Sequence, residues 1–380
     1  MKLYAKAGKL ADALALADLL LDHPDKLTKR TPALMAVHIS VADDAAVFTA
    51  NVLDFSINVK VTELQIVEPG EVVVALPALA ALIAGFAPDI TSTLTTTGAN
   101  LFVTAAKARF RLPTLRTEDL PAPLTVDPEI ARAEITGTDM AHLLDPIAVT
   151  ANERVSFYLS GVLLHDVAGD LVSVATDGHQ LIRVAIPAVE FSTDRRCMIP
   201  AKAVAVLKKL LKSSKSADPR SLVVLRRSKA LFAVEAATFT FTSRLIDAEY
   251  PFYEKAIPQA SGNTAVCNRK EFISALRRLI AVAAKDGAVG AMQWQTSGEL
   301  DVFLPYQPDD GFDRIAAETC GHGQVAFPLT QMIALLDELT GDRIHLAIGD
   351  AGGPICISMG DQHFLALQTT CVFNFQRNAA

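Results

Sequence analysis

The sequence predicts an α+β protein in which one domain fold is used three times, and three observations predict it. Apolar strand ends run into a proline and then a helical apolar stripe at three places. A strand, turn, strand pattern recurs at the same interval. Two alternating segments of similar sequence each lead to acidic residues and a proline.

The proline-led helices set the period. Val72-Val73-Val74-Ala75-Leu76-Pro77 precedes ALAALIAGFA, Cys197-Met198-Ile199-Pro200 precedes AKAVAVLKKLLK, and Val325-Ala326-Phe327-Pro328 precedes LTQMIALLDEL. Proline suits a helix start because its missing N–H would be unpaired there anyway. Pro77 and Pro200 are 123 positions apart, Pro200 and Pro328 128. Such a period is a whole domain, far too long for a solenoid repeat. Helical patterns at Leu10 to Leu21, Met140 to Val149 and Phe272 to Ala284 open the three copies. LFVTAAKARFRLPTL (101–115) resembles LFAVEAATFTFTSRL (231–245), followed by Glu118, Asp119 and Pro121 in one case and Asp247, Glu249 and Pro251 in the other. The expected domains are 1–124, 130–257 and 262–376. The third copy is the most divergent, with PYQPDDGFDRIAAETCGHG reading as an insertion.

At the centre, Val172 and Val174, then Ile182, Val184 and Ile186, alternate as half-buried strands do. Between them Asp177-Gly178 supplies a hairpin turn. Asp54, 123 positions earlier, lies between two similar runs, so the turn is expected to belong to the repeated fold. Gly178-His179 occurs in the second copy alone, which points to a site.

Apolar residues make up 51% of the 380, charged residues 20%, and the formal charge is −7. That balance excludes a protein coating nucleic acid with its whole surface. Five scattered cysteines without a C-x-x-C suit a reducing cytosol. Asp12 and Asp18 interrupt the apolar amino terminus, so neither a signal peptide nor a membrane span is expected; the reading is a soluble cytoplasmic protein. No G-x-x-x-x-G-K-(S/T), no H-E-x-x-H and no glycine-rich phosphate cradle occurs. No cofactor, metal or catalytic residue is expected.

Positive charge is concentrated on two helices. Lys202, Lys208, Lys209, Lys212 and Lys215 share one side of the Pro200 helix, opposite Val206, Leu207, Leu210 and Leu211. Lys270, Ser274, Arg277, Arg278 and Lys285 cluster on the Phe272 helix, opposite Phe272, Ile273, Leu276, Leu279 and Ile280. Two such faces at related places point to phosphate contact, modest and salt-sensitive.

With repeat, turn and basic helices in hand, the chain resembles the β sliding clamp of bacterial DNA polymerase III. The resemblance rests on A-T-D-G-H (175–179), F-T-S-R-L-I-D-A-E-Y-P-F-Y-E-K-A-I-P (241–258), Y-L-S-G-V-L-L (158–164), T-L-R-T-E-D-L-P (114–121) and K-R-T-P-A-L (29–34). It weakens after about residue 286. What it implies is a head-to-tail homodimer of three-domain protomers closing a ring, helices lining the hole around double-stranded DNA and antiparallel sheets outside. The ring would tether polymerase and repair proteins without chemistry of its own, a separate loader opening it. On the DNA side the resemblance implies Lys29, Arg30 and Tyr158 beside Lys202, Lys208, Lys209, Lys212, Lys270, Arg277 and Arg278. At the ring interface it implies Phe110 against Val282 and Ala283, small enough to weaken closure.

It also implies a pocket for a short peptide, Gln followed by Leu and Phe, carried by polymerases and loader subunits. Its wall would include Leu159, Thr176, Gly178, His179, Leu181 and Pro251. Burying a leucine or aromatic contributes about 1.5–3 kcal/mol, against roughly −8 kcal/mol for a micromolar complex. Several positions depart from the family. Gln180 stands where Arg is usual, Lys255 replaces a later Arg, and Pro328 and Gln331 stand where Asn and an aromatic are often seen. The carboxy-terminal V-M-P-M-(R/K)-L is replaced by Phe364-Leu365-Ala366-Leu367-Gln368-Thr369-Thr370-Cys371 and further residues, Leu367 falling in the pocket. Gln368 to Phe373 loosely imitates a clamp-binding peptide, but a final strand and tail is the simpler reading. A second functional reading is therefore a divergent paralogue, a decoy or accessory clamp for a specialised polymerase. A third, Asp177 and His179 as an acid–base pair, lacks a nucleophile or metal set.

Overall fold

The computed structural model describes residues 1–21, 31–192, 194, 195–214, 221–258, 262–283, 288–296, 298–305, 311–339, 341–349, 353–360 and 363–371. Among these, six α-helices accompany two large antiparallel sheets: α1 (Ala7–Asp18), α2 (Leu76–Ala84), α3 (Gly137–Leu143), α4 (Ala201–Ser213), α5 (Arg269–Val282) and α6 (Leu329–Asp337). The chain divides into two compact units, Met1–Ala141 with Ile199–Asp247, and His142–Met198 with Ala248–Ala380.

Each proline-led start is a real helix start, though the proline sits differently. Pro77 lies inside the first turn of α2, while Pro200 and Pro328 occupy the N-cap positions of α4 and α6. All three are preceded by a strand, Gly70–Ala75, Met198–Pro200 and Gly323–Pro328. α1 runs on into a 3-10 turn at Leu19–Leu21. The Met140 to Val149 pattern is not one helix: α3 stops at Leu143 and a 3-10 turn covers Asp145–Val149. Pro146 cannot donate to the ladder and its ring crowds the preceding turn.

In the first unit the two similar segments are both hairpins, Asn100–Ala105 with Ala108–Leu115, and Leu231–Glu235 with Phe239–Arg244. Phe239–Arg244 also pairs with Phe55–Val61, so strands from distant stretches share one sheet. α4 buries Ala203, Val204, Leu207, Leu210 and Leu211. The expected apolar face is therefore shifted, with Val206 half-buried and Ala203 and Val204 in the core.

In the second unit, Gly161–Val167, Asp170–Thr176 and Gln180–Ile186 form a meander joined to Phe364–Gln368 and then to Ile355–Ser358, Arg343–Ile348 and Thr264–Asn268. The half-buried alternation expected around Val174 is absent. Leu171, Val172, Ser173, Val174 and Ala175 are all fully buried, as in a strand covered on both faces. α5 is capped by Asn268, whose Oδ1 accepts from Glu271 N at 3.1 Å. It buries Phe272, Ile273, Ala275, Leu276 and Leu279, but Ile280, expected among them, is exposed.

One close approach gives a stability prediction. Gly323 pairs with Trp294 across Val289–Trp294 and Gly323–Pro328, and a Cβ there would overlap the indole ring. Gly323→Ala is expected to lower the unfolding free energy by about 1–3 kcal/mol, the cost of overpacking. An unchanged urea midpoint would contradict it.

Candidate functional site

The hairpin tip is built from its own side chains. Asp177 Oδ1 accepts from the N–H groups of His179 (2.8 Å) and Gln180 (2.7 Å). Thr176 Oγ1 donates to the Gln180 carbonyl at 2.5 Å and accepts from Gly178 N at 3.1 Å. Gly178 has φ +92°, where a side chain would be strained. Asp177 thus serves the turn rather than a proton relay with His179. The expected likeness to Asp54 holds only for the hairpin as a whole. There Val52 pairs directly with Phe55, leaving a two-residue turn with Leu53 at φ +54°, whereas Thr176 pairs with Leu181. The longer tip leaves Gly178 and His179 exposed.

Behind the tip, Leu181 pairs with Leu367 and Gln180 with Gln368, both leucines being nearly fully buried. Thr369 N donates to the His179 carbonyl at 2.9 Å, and Cys371 N donates to the Ala326 carbonyl at 2.7 Å. The chain therefore passes from the hairpin tip to the strand that leads through Pro328 into α6. Gln180, expected on the pocket wall, is turned inward. Its Nε2 donates to the Gln331 main-chain carbonyl (2.9 Å) and to Gln368 Oε1 (2.8 Å). Gln368 Nε2 donates to Gln331 Oε1 (3.2 Å) and to the Thr369 carbonyl (3.1 Å). Hairpin, last strand and α6 are thereby joined through neutral amides.

Pro251 and Lys255 lie on a separate exposed lip, organised by a residue the sequence reading missed. Arg195 donates to the Pro251 carbonyl (2.6 Å) and to Glu254 Oε1 (2.7 Å), and lies over the rings of Phe252 (4.8 Å) and Tyr253 (5.4 Å). Lys255 Nζ is 5.6 Å from the Phe252 ring. Burial raises the Tyr250 phenol above its ordinary value. Beneath the lip, His165 Nε2 is 3.0 Å from Tyr253 Oη. Leu159 is buried in the 3-10 turn Phe157–Leu159, and its carbonyl accepts from Ala151 N. No signal in the sequence marks Arg195, whose partners all lie more than fifty positions away.

On α4, Lys202, Lys209 and Lys212 are exposed and Lys208 half-buried; Lys215 lies outside the described residues. On α5, Lys270 pairs with Asp342 (3.1 Å), Arg277 with both oxygens of Asp337 (2.8 and 3.0 Å) and Arg278 with Asp313 (2.7 Å). This face is locally neutralised, which the helix's own residues could not reveal. Tyr158 is exposed with Phe157 edge-on at 5.7 Å. Lys29, Arg30, Lys285, Val372 and Phe373 lie outside the described residues.

Two strand edges are open among the described residues. Ala108–Leu115 pairs with Asn100–Ala105 along its first part and meets Gly70–Ala75 only at Thr114 and Leu115. Phe312–Cys320 pairs with Glu299–Phe303 through its first half and with Thr264–Asn268 through its second. The first edge carries Phe110, 45% exposed and packed on Phe86; the second carries Phe312, 56% exposed, near the chain end of α5 where Val282 is 53% exposed and Ala283 half-buried. Phe312 was hidden in the stretch read as an insertion.

Among the described residues, two strand edges stand open to further pairing, one in each compact unit. Residues 1–125 match the family pattern of the N-terminal domain of the DNA polymerase III β subunit, and residues 134–252 that of its central domain. The chain belongs to the bacterial DNA polymerase III β-subunit family. It is 25% identical over 336 residues to the β sliding clamp of Pseudomonas aeruginosa, covering 87% of this chain and 89% of that one. With the β sliding clamp of Vibrio cholerae it shares 28% over 335 residues, with the same coverage. The solved DNA polymerase III β subunit of P. aeruginosa superposes with a TM-score of 0.87 at 22% identity, over 98% of this chain and 100% of that one. A P. aeruginosa sliding clamp bound to griselimycin gives 0.88 at 22% identity, with equal coverage.

Proposed function

We propose that the protein is a DNA sliding clamp, a non-catalytic processivity factor that encircles duplex DNA and tethers polymerase and repair proteins. The observation that carries this reading is the family match across the first two repeats together with the clamp fold over 98% of the chain. In this reading the protein works in the cytoplasm; among the described residues no helix is long and apolar enough to cross a membrane. The chain divides functionally as 1–124, 130–257 and 262–376.

A homodimer closes the ring by joining the open edge beside Phe110 of one protomer to the open edge beside Phe312 of the other, continuing the sheet across the boundary. Val282 and Ala283 flank that joint. α5 contributes little to the DNA-facing charge, since Lys270, Arg277 and Arg278 are engaged by aspartates. Weak contact suits a ring that holds DNA by topology. Partners carrying a short apolar peptide dock in the cleft of Leu159, Thr176, Gly178, His179, Leu181, Pro251, Lys255, Pro328 and Leu367. No feature of the cleft favours the decoy reading.

The test is retention. Protein loaded onto nicked circular DNA by a clamp loader and ATP is expected to co-elute with the circle and to be released when the circle is linearised. Equal retention on both forms would refute encirclement.

A further inference from the structure

The three glutamines of the cleft form a relay with a fixed direction. The carbonyls of Gln331 and Thr369 can only accept, and they set the orientation of every amide between them. Gln180 must turn its NH2 toward the Gln331 carbonyl, and that same NH2 reaches Gln368. Gln368 therefore presents its oxygen to Gln180, leaving its own NH2 for the Thr369 carbonyl and for Gln331 Oε1. Gln331 presents its oxygen inward as a consequence. Its NH2 is the free end of the relay and makes no hydrogen bond to any described residue.

The burial of the members matches this order. Gln368 is fully buried, Gln180 is 7% exposed, and Gln331 is half-exposed on the first turn of α6, three residues beyond Pro328. Buried amides left unpaired would be costly, so a satisfied chain of them is a rigid element. A rigid element that ends in an exposed donor favours a partner acceptor at a defined place.

We infer that the Gln331 carboxamide, oriented by Gln180 and Gln368, donates a hydrogen bond to a carbonyl oxygen of the docked peptide. The inference rests on the cleft being a peptide site. Gln331 is the contacting residue; Gln180 and Gln368 are positioning residues acting through it. Because all three are neutral, this contact distinguishes an acceptor from a donor on the partner without responding to its charge. It discriminates against peptides whose carbonyl at that place is already engaged in their own turn.

Fluorescence anisotropy with a labelled Gln-Leu-Ser-Leu-Phe peptide tests it on the full-length protein. Gln331→Glu keeps the shape and the oxygen that accepts from Gln368 but removes the donor. It is expected to weaken binding by about three- to tenfold, the size of one neutral hydrogen bond, with the thermal midpoint and dimer mass unchanged. Gln331→Met should weaken it similarly. Gln180→Met should weaken binding less, and its effect should vanish in the Gln331→Glu background, which a merely structural role would not produce. If wild type binds the peptide and Gln331→Glu binds it equally, the donor role is refuted while the pocket stands. If wild type does not bind while His179→Ala is equally inert, the pocket reading itself fails and the donor role with it.

Discussion

Phe110→Asp is expected to turn the dimer into a monomer and to abolish retention on circular DNA. The ring interface proposed above sets Phe110 on one open strand edge and Phe312 on the other, both large apolar side chains left exposed, at 45% and 56%. An exposed apolar edge is what a partner strand covers. Burying one phenylalanine contributes about 1.5–3 kcal/mol, and a carboxylate in its place adds a desolvation cost without an opposite charge. Arg109 lies over the Phe102 ring at 4.4 Å and so is held on the other side of its own sheet. A loss of about 3 kcal/mol per interface falls twice on a closed two-protomer ring. The dimer dissociation constant should then rise by about four orders of magnitude. Sedimentation equilibrium reads this as a mass falling from about twice 40.6 kDa to 40.6 kDa. Phe312→Asp should do the same, because each edge is half of the same joint. A Phe110→Asp dimer as tight as wild type would remove this edge from the interface.

What made the fold legible was local and periodic. Pro77, Pro200 and Pro328 each open a helix because a missing N–H costs nothing at that position, so the signal survives divergence elsewhere. The hairpin at Asp177 was legible for the same reason, since Asp-Gly solves the turn with its own atoms. Failures came where a distant segment decides. Val172 and Val174 looked half-buried, yet Ser173 between them is also covered. Pro146 ended a helix whose apolar stripe ran past it. At the site, Gly178 and His179 were visible as an unrepeated pair in a repeated turn. Arg195 was not, because it holds the lip through the carbonyl of Pro251 and the carboxylate of Glu254, 56 and 59 positions away. Gln180 was visible as a departure from the family, but its inward orientation depends on Gln331 and Gln368, 151 and 188 positions away from it. The aspartates that neutralise Arg277 and Arg278 on α5 lie 60 and 35 positions from them.

The lip around Pro251 should make the protein acid-sensitive, and His165 is the source. Its ring sits within Gly161–Val167, 3% exposed, edge-on to Tyr253 at 5.7 Å between centroids. Burial, with Arg195 adding positive charge nearby, lowers its pKa from 6.5 to about 4. Glu254 and Asp166 oppose this, but Arg183 and Arg195 act with the burial. The folded protein therefore keeps His165 neutral at pH values where the unfolded chain takes up a proton. Stability is fully present above about pH 6.5 and falls as pH drops toward 4, because the unfolded state binds the extra proton. At 1.36 kcal/mol per pH unit of separation, the whole loss is about 3 kcal/mol. Urea unfolding at pH 7.5, 5.5 and 4.5 should show it, and His165→Gln should flatten the decline between 6.5 and 5. At lower pH Glu254 adds to the loss: burial is the largest single influence and raises its pKa, but the hydrogen bond from Arg195, that from its own backbone and the nearby positive charge together outweigh burial and lower it. Equal slopes for wild type and His165→Gln above pH 5 would place the sensitivity elsewhere. The site of the loss matters as much as its size. Protonating His165 adds a cation beside Arg195 and Arg183, under the turn that carries Pro251 and Lys255. The lip should then loosen before the sheet beneath it, and peptide affinity should decline at a pH where the dimer is still intact.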